Sequence, residues 1–138
     1  RFRVINKKPL FIVDGAHNAG AADKMAESIR HYFNGKKLIY IMGVFADKEY
    51  KIVLEKTAHF AEKIYTIETP DNPRALPAEE LAKAARVYNS SAESTKSIKD
   101  AVEKAFSCAG DDENSVILAF GSLSFIGALT DAVEEYVG

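Results

Sequence analysis

The sequence predicts an α/β domain of Rossmann-like, three-layer build: a mostly parallel sheet with an antiparallel edge strand and helices on both faces. Three observations carry this. Short β-rich runs alternate with amphipathic stretches along the whole chain. Two of those runs, 38–42 (Leu-Ile-Tyr-Ile-Met) and 116–120 (Val-Ile-Leu-Ala-Phe), are apolar throughout, as strands covered on both faces are. No repeat, low-complexity tract or long linker interrupts the alternation. The 138 residues, 47% hydrophobic and 28% charged, suit one ordinary domain spanning 1–138. At that length folding removes roughly two-thirds of the unfolded chain's surface from water, so neither a disulfide nor a metal is needed to hold a core.

Residues 2–5 form a first strand and 10–13 a second, joined tightly through Lys7-Lys8-Pro9, so the two pair as a hairpin at a sheet edge. From Asn18 the period changes: Ala22, Met25, Ala26, Ile29 and Phe33 recur at helical spacing, and Asn34-Gly35 stops the helix. The buried strand 38–42 follows, then a helix over 48–59 that turns Tyr50, Val53, Leu54 and Ala58 inward. Residues 64–67 are the next strand, and a Pro-rich loop, 69–76, leads to a helix opened by Pro77 and Glu79-Glu80. Its buried face is Leu81, Ala84, Ala85 and Tyr88. A short strand at 91–94 precedes a helix over 97–109 with Ile98, Val102, Ala105 and Phe106 on one side, ended by Gly110-Asp111-Asp112. The strand 116–120 and a closing helix marked by Phe125, Leu129, Ala132, Val133 and Tyr136 complete the chain.

Composition removes several function classes. Eighteen Lys and Arg against twenty Asp and Glu leave a net charge of −2, which draws neither nucleic acid nor anionic lipid. Cys108 is the only cysteine and reads as a helix residue, so no intrachain disulfide forms and no Cys-based zinc site is available, as suits a reducing cytoplasm. No apolar run reaches the ~18–20 residues of a membrane span or forms a signal-peptide core. The chain begins with Arg1 rather than Met and enters a strand at once, so it is expected to belong to something longer.

In open α/β sheets ligands bind beyond the carboxyl ends of the strands. Four loops lie there, at 14–20, 43–48, 68–74 and 121–124. Gly15 and Gly20 have the spacing of a phosphate-cradling P-loop, but Ala21 and Ala22 stand where its Lys and Ser/Thr belong, and no G-x-G-x-x-G follows any strand. What remains in the first loop is a carboxylate, Asp14, an imidazole, His17, and an amide, Asn18, at a strand-to-helix turn whose N–H groups suit an anion. The plainer reading is that Asp14 ends a strand, His17 is a solvated turn residue and Asn18 caps a helix. Likewise Asp47 caps the next helix, Lys48 is a surface charge, Arg74 is held by Glu68 or Asp71, and at least one of Ser122 and Ser124 caps the last helix. His31 and His59 fit no metal-ligand spacing, and no Ser-His-Asp order with a nucleophile elbow is present.

Taken together, Asp14-Gly15-Ala16-His17-Asn18 at a strand end, Arg1-Phe2 and Ile5 ahead of it, Gly43 with Asp47-Lys48, the Pro73-Arg74-Ala75 to Leu81 segment and Gly121-Ser122 resemble a family. The resemblance is to the C-terminal domain of folylpolyglutamate synthase/dihydrofolate synthase, in the Mur ligase superfamily. It departs from the common pattern at Asn18-Ala19, where Asn-Pro is usual, and after Ser122. It implies an ATP-dependent amide ligase that adds glutamate to folate or dihydropteroate through an acyl phosphate, with Mg²⁺ and the P-loop mostly on a central domain of the same longer enzyme. By this resemblance Arg1, Asp14, His17 and Asn18 meet ATP, Lys48, Arg74 and Ser122 meet L-glutamate, and His17 and Lys48 act at the reacting atoms, while no metal is held by these residues. The expected partners are those small molecules and the N-terminal ATPase domain, in a cytoplasmic monomer that binds neither nucleic acid nor membrane. The isolated domain is expected to be inactive. The competing readings are a cell-wall-precursor ligase of the same superfamily and a non-catalytic α/β binding module.

Overall fold

The strands form where β-branched and aromatic residues run together, and each is buried according to its place in the sheet. The computed structural model describes residues 2–138, so Arg1 lies outside the described residues. In chain order the elements are β1 (Arg3–Lys7), β2 (Leu10–Val13), α1 (Ala19–Tyr32), β3 (Lys37–Met42), α2 (Tyr50–Thr57), β4 (Ala61–Thr66), α3 (Ala78–Arg86), β5 (Ala92–Ser94), α4 (Ile98–Ala109), β6 (Ser115–Phe120) and α5 (Ile126–Val137). The sheet order is β1-β2-β6-β3-β4-β5, with β1 antiparallel to β2 and every other pair parallel. This is the predicted architecture, edge hairpin included.

Alternation along the central strands divides the interior into two cores. Val116, Leu118 and Phe120 of β6 face Met25 and Ile29 of α1, Leu54 of α2 and Leu81 of α3. Ile117 and Ala119 face the other way, onto Val102 and Phe106 of α4 and Leu129 and Val133 of α5. Tyr40 is fully buried, and its hydroxyl donates to the Thr57 carbonyl at 2.7 Å, which removes the cost of sinking a phenol. No helix among the described residues is long and apolar enough to cross a membrane.

Strands β1 and β4 run over 3–7 and 61–66 rather than the expected 2–5 and 64–67, and two helices differ in a way that has a visible cause. Helix α2 starts at Tyr50, because residues before it are drawn into a turn, Lys48 N–H to the Phe45 carbonyl at 3.2 Å, and a bridge between Phe45 and Ala75. Tyr88 is not on the buried face of α3: the helix ends at Arg86, and Val87 and Tyr88 are exposed. The cause is Asn89, whose amide donates to the carbonyls of Ala58 and Ala61, both at 2.8 Å, and pulls the chain toward the α2–β4 junction.

Candidate functional site

The loop after β2 is built by its own side chains. The Asp14 N–H extends the ladder to the Ala119 carbonyl at 2.9 Å, and the buried Asp14 carboxylate then accepts the Ala16 N–H at 2.8 Å, closing an Asx turn. His17 Nδ1 lies 2.8 Å from the Gly15 carbonyl. A carbonyl only accepts, so Nδ1 carries the proton and Nε2 is left for a ligand. Asn18 caps α1 by accepting the Ala21 N–H at 2.9 Å. The helix terminus is not open to an anion in the way the sequence suggests. The Ala19 N–H donates to Glu49 Oε1 at 3.2 Å, so a carboxylate of this chain already sits there.

The loops after β3 and β4 are zipped together. Leu76 N–H donates to the Val44 carbonyl at 3.0 Å and Ala46 N–H to the Arg74 carbonyl at 2.7 Å. That pairing brings Arg74 to Asp47, neither Glu68 nor Asp71 being its partner: Nε donates to Oδ2 at 3.2 Å and Nη2 to Oδ1 at 3.1 Å. The guanidinium also lies over the Phe45 ring, 4.5 Å from its centroid. The hydrogen-bonded Arg74 guanidinium holds the Asp47 carboxyl below the usual carboxylate range. Asp47 therefore caps nothing; Glu49 occupies the cap position of α2, without a side-chain bond to that helix. After β6, Ser122 is buried and its Oγ accepts the Ser124 N–H at 3.2 Å, capping the 3₁₀ turn Leu123–Phe125 that leads into α5.

His17, Lys48, Arg74 and Ser122, from four different loops, line one cleft of about 280 Å³, together with Phe45 and Leu123. Asp14 is not among them. It lines a neighbouring depression of about 460 Å³ with Gly15, Ala16, Lys24 and Ser28, and the 14–17 backbone is the wall between the two. Asn18 is the exposed cap of α1 and lines neither. The arrangement offers cations, an imidazole and a hydroxyl to carboxylates in one hollow, and an acceptor for hydroxyls in the next. Among the described residues no three His, Cys, Asp or Glu side chains come together as a metal-ligand group. Sequence reasoning missed Phe45, Glu49 and Leu123. Leu123 is 66% exposed and its Cδ2 would touch a Cβ placed on Gly15, so it forms the ridge beside the wall.

The Mur ligase, glutamate ligase domain family matches residues 1–123. Among curated proteins the chain is 28% identical over 126 residues to the dihydrofolate synthase/folylpolyglutamate synthase of Bacillus subtilis, covering 91% of this chain and 28% of that protein. It is 30% identical over 77 residues to the folylpolyglutamate synthase of Lacticaseibacillus casei, covering 56% of this chain and 18% of that one. The chain thus spans less than a third of the length of the curated relatives it matches. Among solved structures, E. coli FolC in complex with DHPP and ADP superposes with a TM-score of 0.85 at 20% identity, over 100% of this chain and 32% of that chain. The bifunctional folylpolyglutamate synthase/dihydrofolate synthase with Mn, AMPPNP and L-glutamate bound superposes at 0.81 with 24% identity, over 97% and 31%. At such identities these two likenesses establish the fold.

Proposed function

Since the chain belongs to the Mur ligase glutamate ligase domain family, we propose that residues 1–138 form the C-terminal domain of a longer, ATP-dependent amide ligase that adds L-glutamate to folate or dihydropteroate. The observation that carries this reading is the convergence of His17, Lys48, Arg74 and Ser122 in one cleft beside the depression that holds Asp14. The folate substrate is supported by the curated relatives, which are folylpolyglutamate and dihydrofolate synthases.

In this reading the Asp14 carboxylate accepts the ribose hydroxyls of ATP, with His17, Asn18 and Arg1 toward the phosphates. Bound ATP supplies the phosphoryl group that converts the acceptor's carboxylate to an acyl phosphate. Lys48 and Arg74 take the carboxylates of glutamate, and Ser122 fixes their orientation by its hydroxyl, so that the amine of glutamate is aimed at the acyl carbon. Among the described residues no three His, Cys, Asp or Glu side chains come together, and this reading assigns Mg²⁺ mostly to another part of the longer enzyme. Most of the metal's ligands belong to the central domain, along with the P-loop that 15–22 lacks. The enzyme works in the cytoplasm as a monomer, its N-terminal ATPase domain being this domain's partner.

Two measurements test the reading. The isolated domain should release no phosphate from ATP with folate and glutamate present, and turnover there would contradict it. In the full-length enzyme Lys48→Ala should raise the KM for glutamate tenfold or more, the loss of a charge-assisted contact of ~1.5–3 kcal/mol, with little change in the KM for ATP. An equal rise in both constants would move Lys48 to the nucleotide.

A further inference from the structure

The two cations of the cleft are held very differently. Lys48 is exposed and has no ion-pair partner among the described residues. Arg74 is fixed from several sides: by both oxygens of Asp47, at 3.2 Å from Nε and 3.1 Å from Nη2, by the Phe45 ring beneath its plane, and by its own N–H, which donates to Asn72 Oδ1 at 2.9 Å. A guanidinium has five N–H groups. Asp47 engages one on Nε and one on Nη2, which leaves both protons of Nη1 and the second of Nη2 for a ligand. A free arginine loses much rotamer freedom when it clamps an anion, and one already held loses little.

We propose that Asp47 is a positioning residue: with Phe45 it pre-sets Arg74 so that the remaining Nη edge meets one carboxylate of the acidic amino-acid substrate in the cleft that Lys48 also lines. Asp47 itself does not touch substrate. This rests on the reading of the cleft as the L-glutamate site. The carboxyl of Asp47 is held below the usual carboxylate range by Arg74, so it is ionised and able to hold the guanidinium at every pH where such an enzyme works. The pair is exposed, at 58% for the Asp47 side chain and 48% for Arg74, so breaking it does not threaten the fold.

The test is steady-state kinetics of the full-length enzyme with ATP, a folate acceptor and L-glutamate, on Asp47→Asn, Asp47→Glu, Arg74→Ala and the double variant Asp47→Asn/Arg74→Ala. Asp47→Asn should raise the glutamate KM about fivefold to tenfold with kcat and the ATP KM within about twofold. The double variant should be no worse than Arg74→Ala alone, because Asp47 acts only through Arg74. Asp47→Glu, which keeps the charge, should recover most of the loss. Full additivity in the double variant, an unchanged glutamate KM in Asp47→Asn, or an equal rise in the ATP KM each overturns the assignment. If the unaltered enzyme shows no glutamate-dependent ADP release, the reading of the cleft fails instead, and the role of Asp47 falls with it.

Discussion

Gly121 has a φ of +115°, a region closed to most side chains, and a Cβ there would collide with the Gly43 carbonyl oxygen. Two glycines at neighbouring strand ends let β3 and β6 approach closely enough to set Ser122 at the floor of the cleft. Gly121→Ala should therefore cost at least about 2 kcal/mol, combining backbone strain with a clash against backbone that cannot move aside. Thermal unfolding should show a midpoint lower by roughly 6–10 °C. A midpoint within 2 °C of the parent would mean that the two strand ends can part freely. At this scale the site was only partly legible. His17, Lys48, Arg74 and Ser122 stand in loops directly after strands, where ligands bind, but residue type alone favoured a structural role for each, and the resemblance to a ligase family singled them out. The Asp47–Arg74 pair was not readable, because 27 residues separate its members and the nearer acids, Glu68 and Asp71, were equally good candidates on paper. Glu49 at the start of α1 was hidden for the same reason: it comes from 30 residues away.

Two of the helix starts, those of α1 and α4, are set by single side chains. Asn18 caps α1, and Ser97 caps α4 by accepting the Asp100 N–H at 3.0 Å, while Asp100 reaches back to the Lys96 N–H at 3.0 Å. Ser97→Ala should cost about 1 kcal/mol, a fall of roughly 3–5 °C in the unfolding midpoint, with the kinetic constants of the parent enzyme unchanged. Asn18→Ala should cost the same in stability. A rise in the ATP KM for Asn18→Ala, absent for Ser97→Ala, separates nucleotide contact from capping, whereas identical kinetics for the two would leave Asn18 a cap alone. Elements with strong apolar periodicity, such as α1 and α4, were legible nearly to their ends. The start of α2 was not, since the chain at 45–48 answers to a partner loop, and neither was the end of α3, where Asn89 bonds to carbonyls on another element.

At the scale of the whole molecule, two buried tyrosines, Tyr40 and Tyr65, make the fold sensitive to alkali. Tyr65 lies 7% exposed in the core beneath α4, and desolvation, with Cys108 and Glu93 close by, pushes its pKa up from 10.0 to about 12. The Tyr40 phenol is raised as well by its burial. A phenol raised in the folded state holds its proton where the unfolded chain has lost it. The stability so conferred is complete below pH 10 and disappears as the pH climbs toward 12. Tyr65→Phe should flatten part of the fall in stability across that window, measured by denaturant unfolding at stepped pH, and an unaltered slope would exclude Tyr65 as its source. The sheet is protected at its margins. One outer strand, β5, is three residues long, and the other, β1, loses register between Val4 and Asn6 and carries Arg3 and Lys7 exposed. A foreign strand seeking to add itself meets no straight run of free N–H and C=O groups on either side. The domain can hold four loops at its strand ends open to water without offering its flanks as a template for amyloid-like growth.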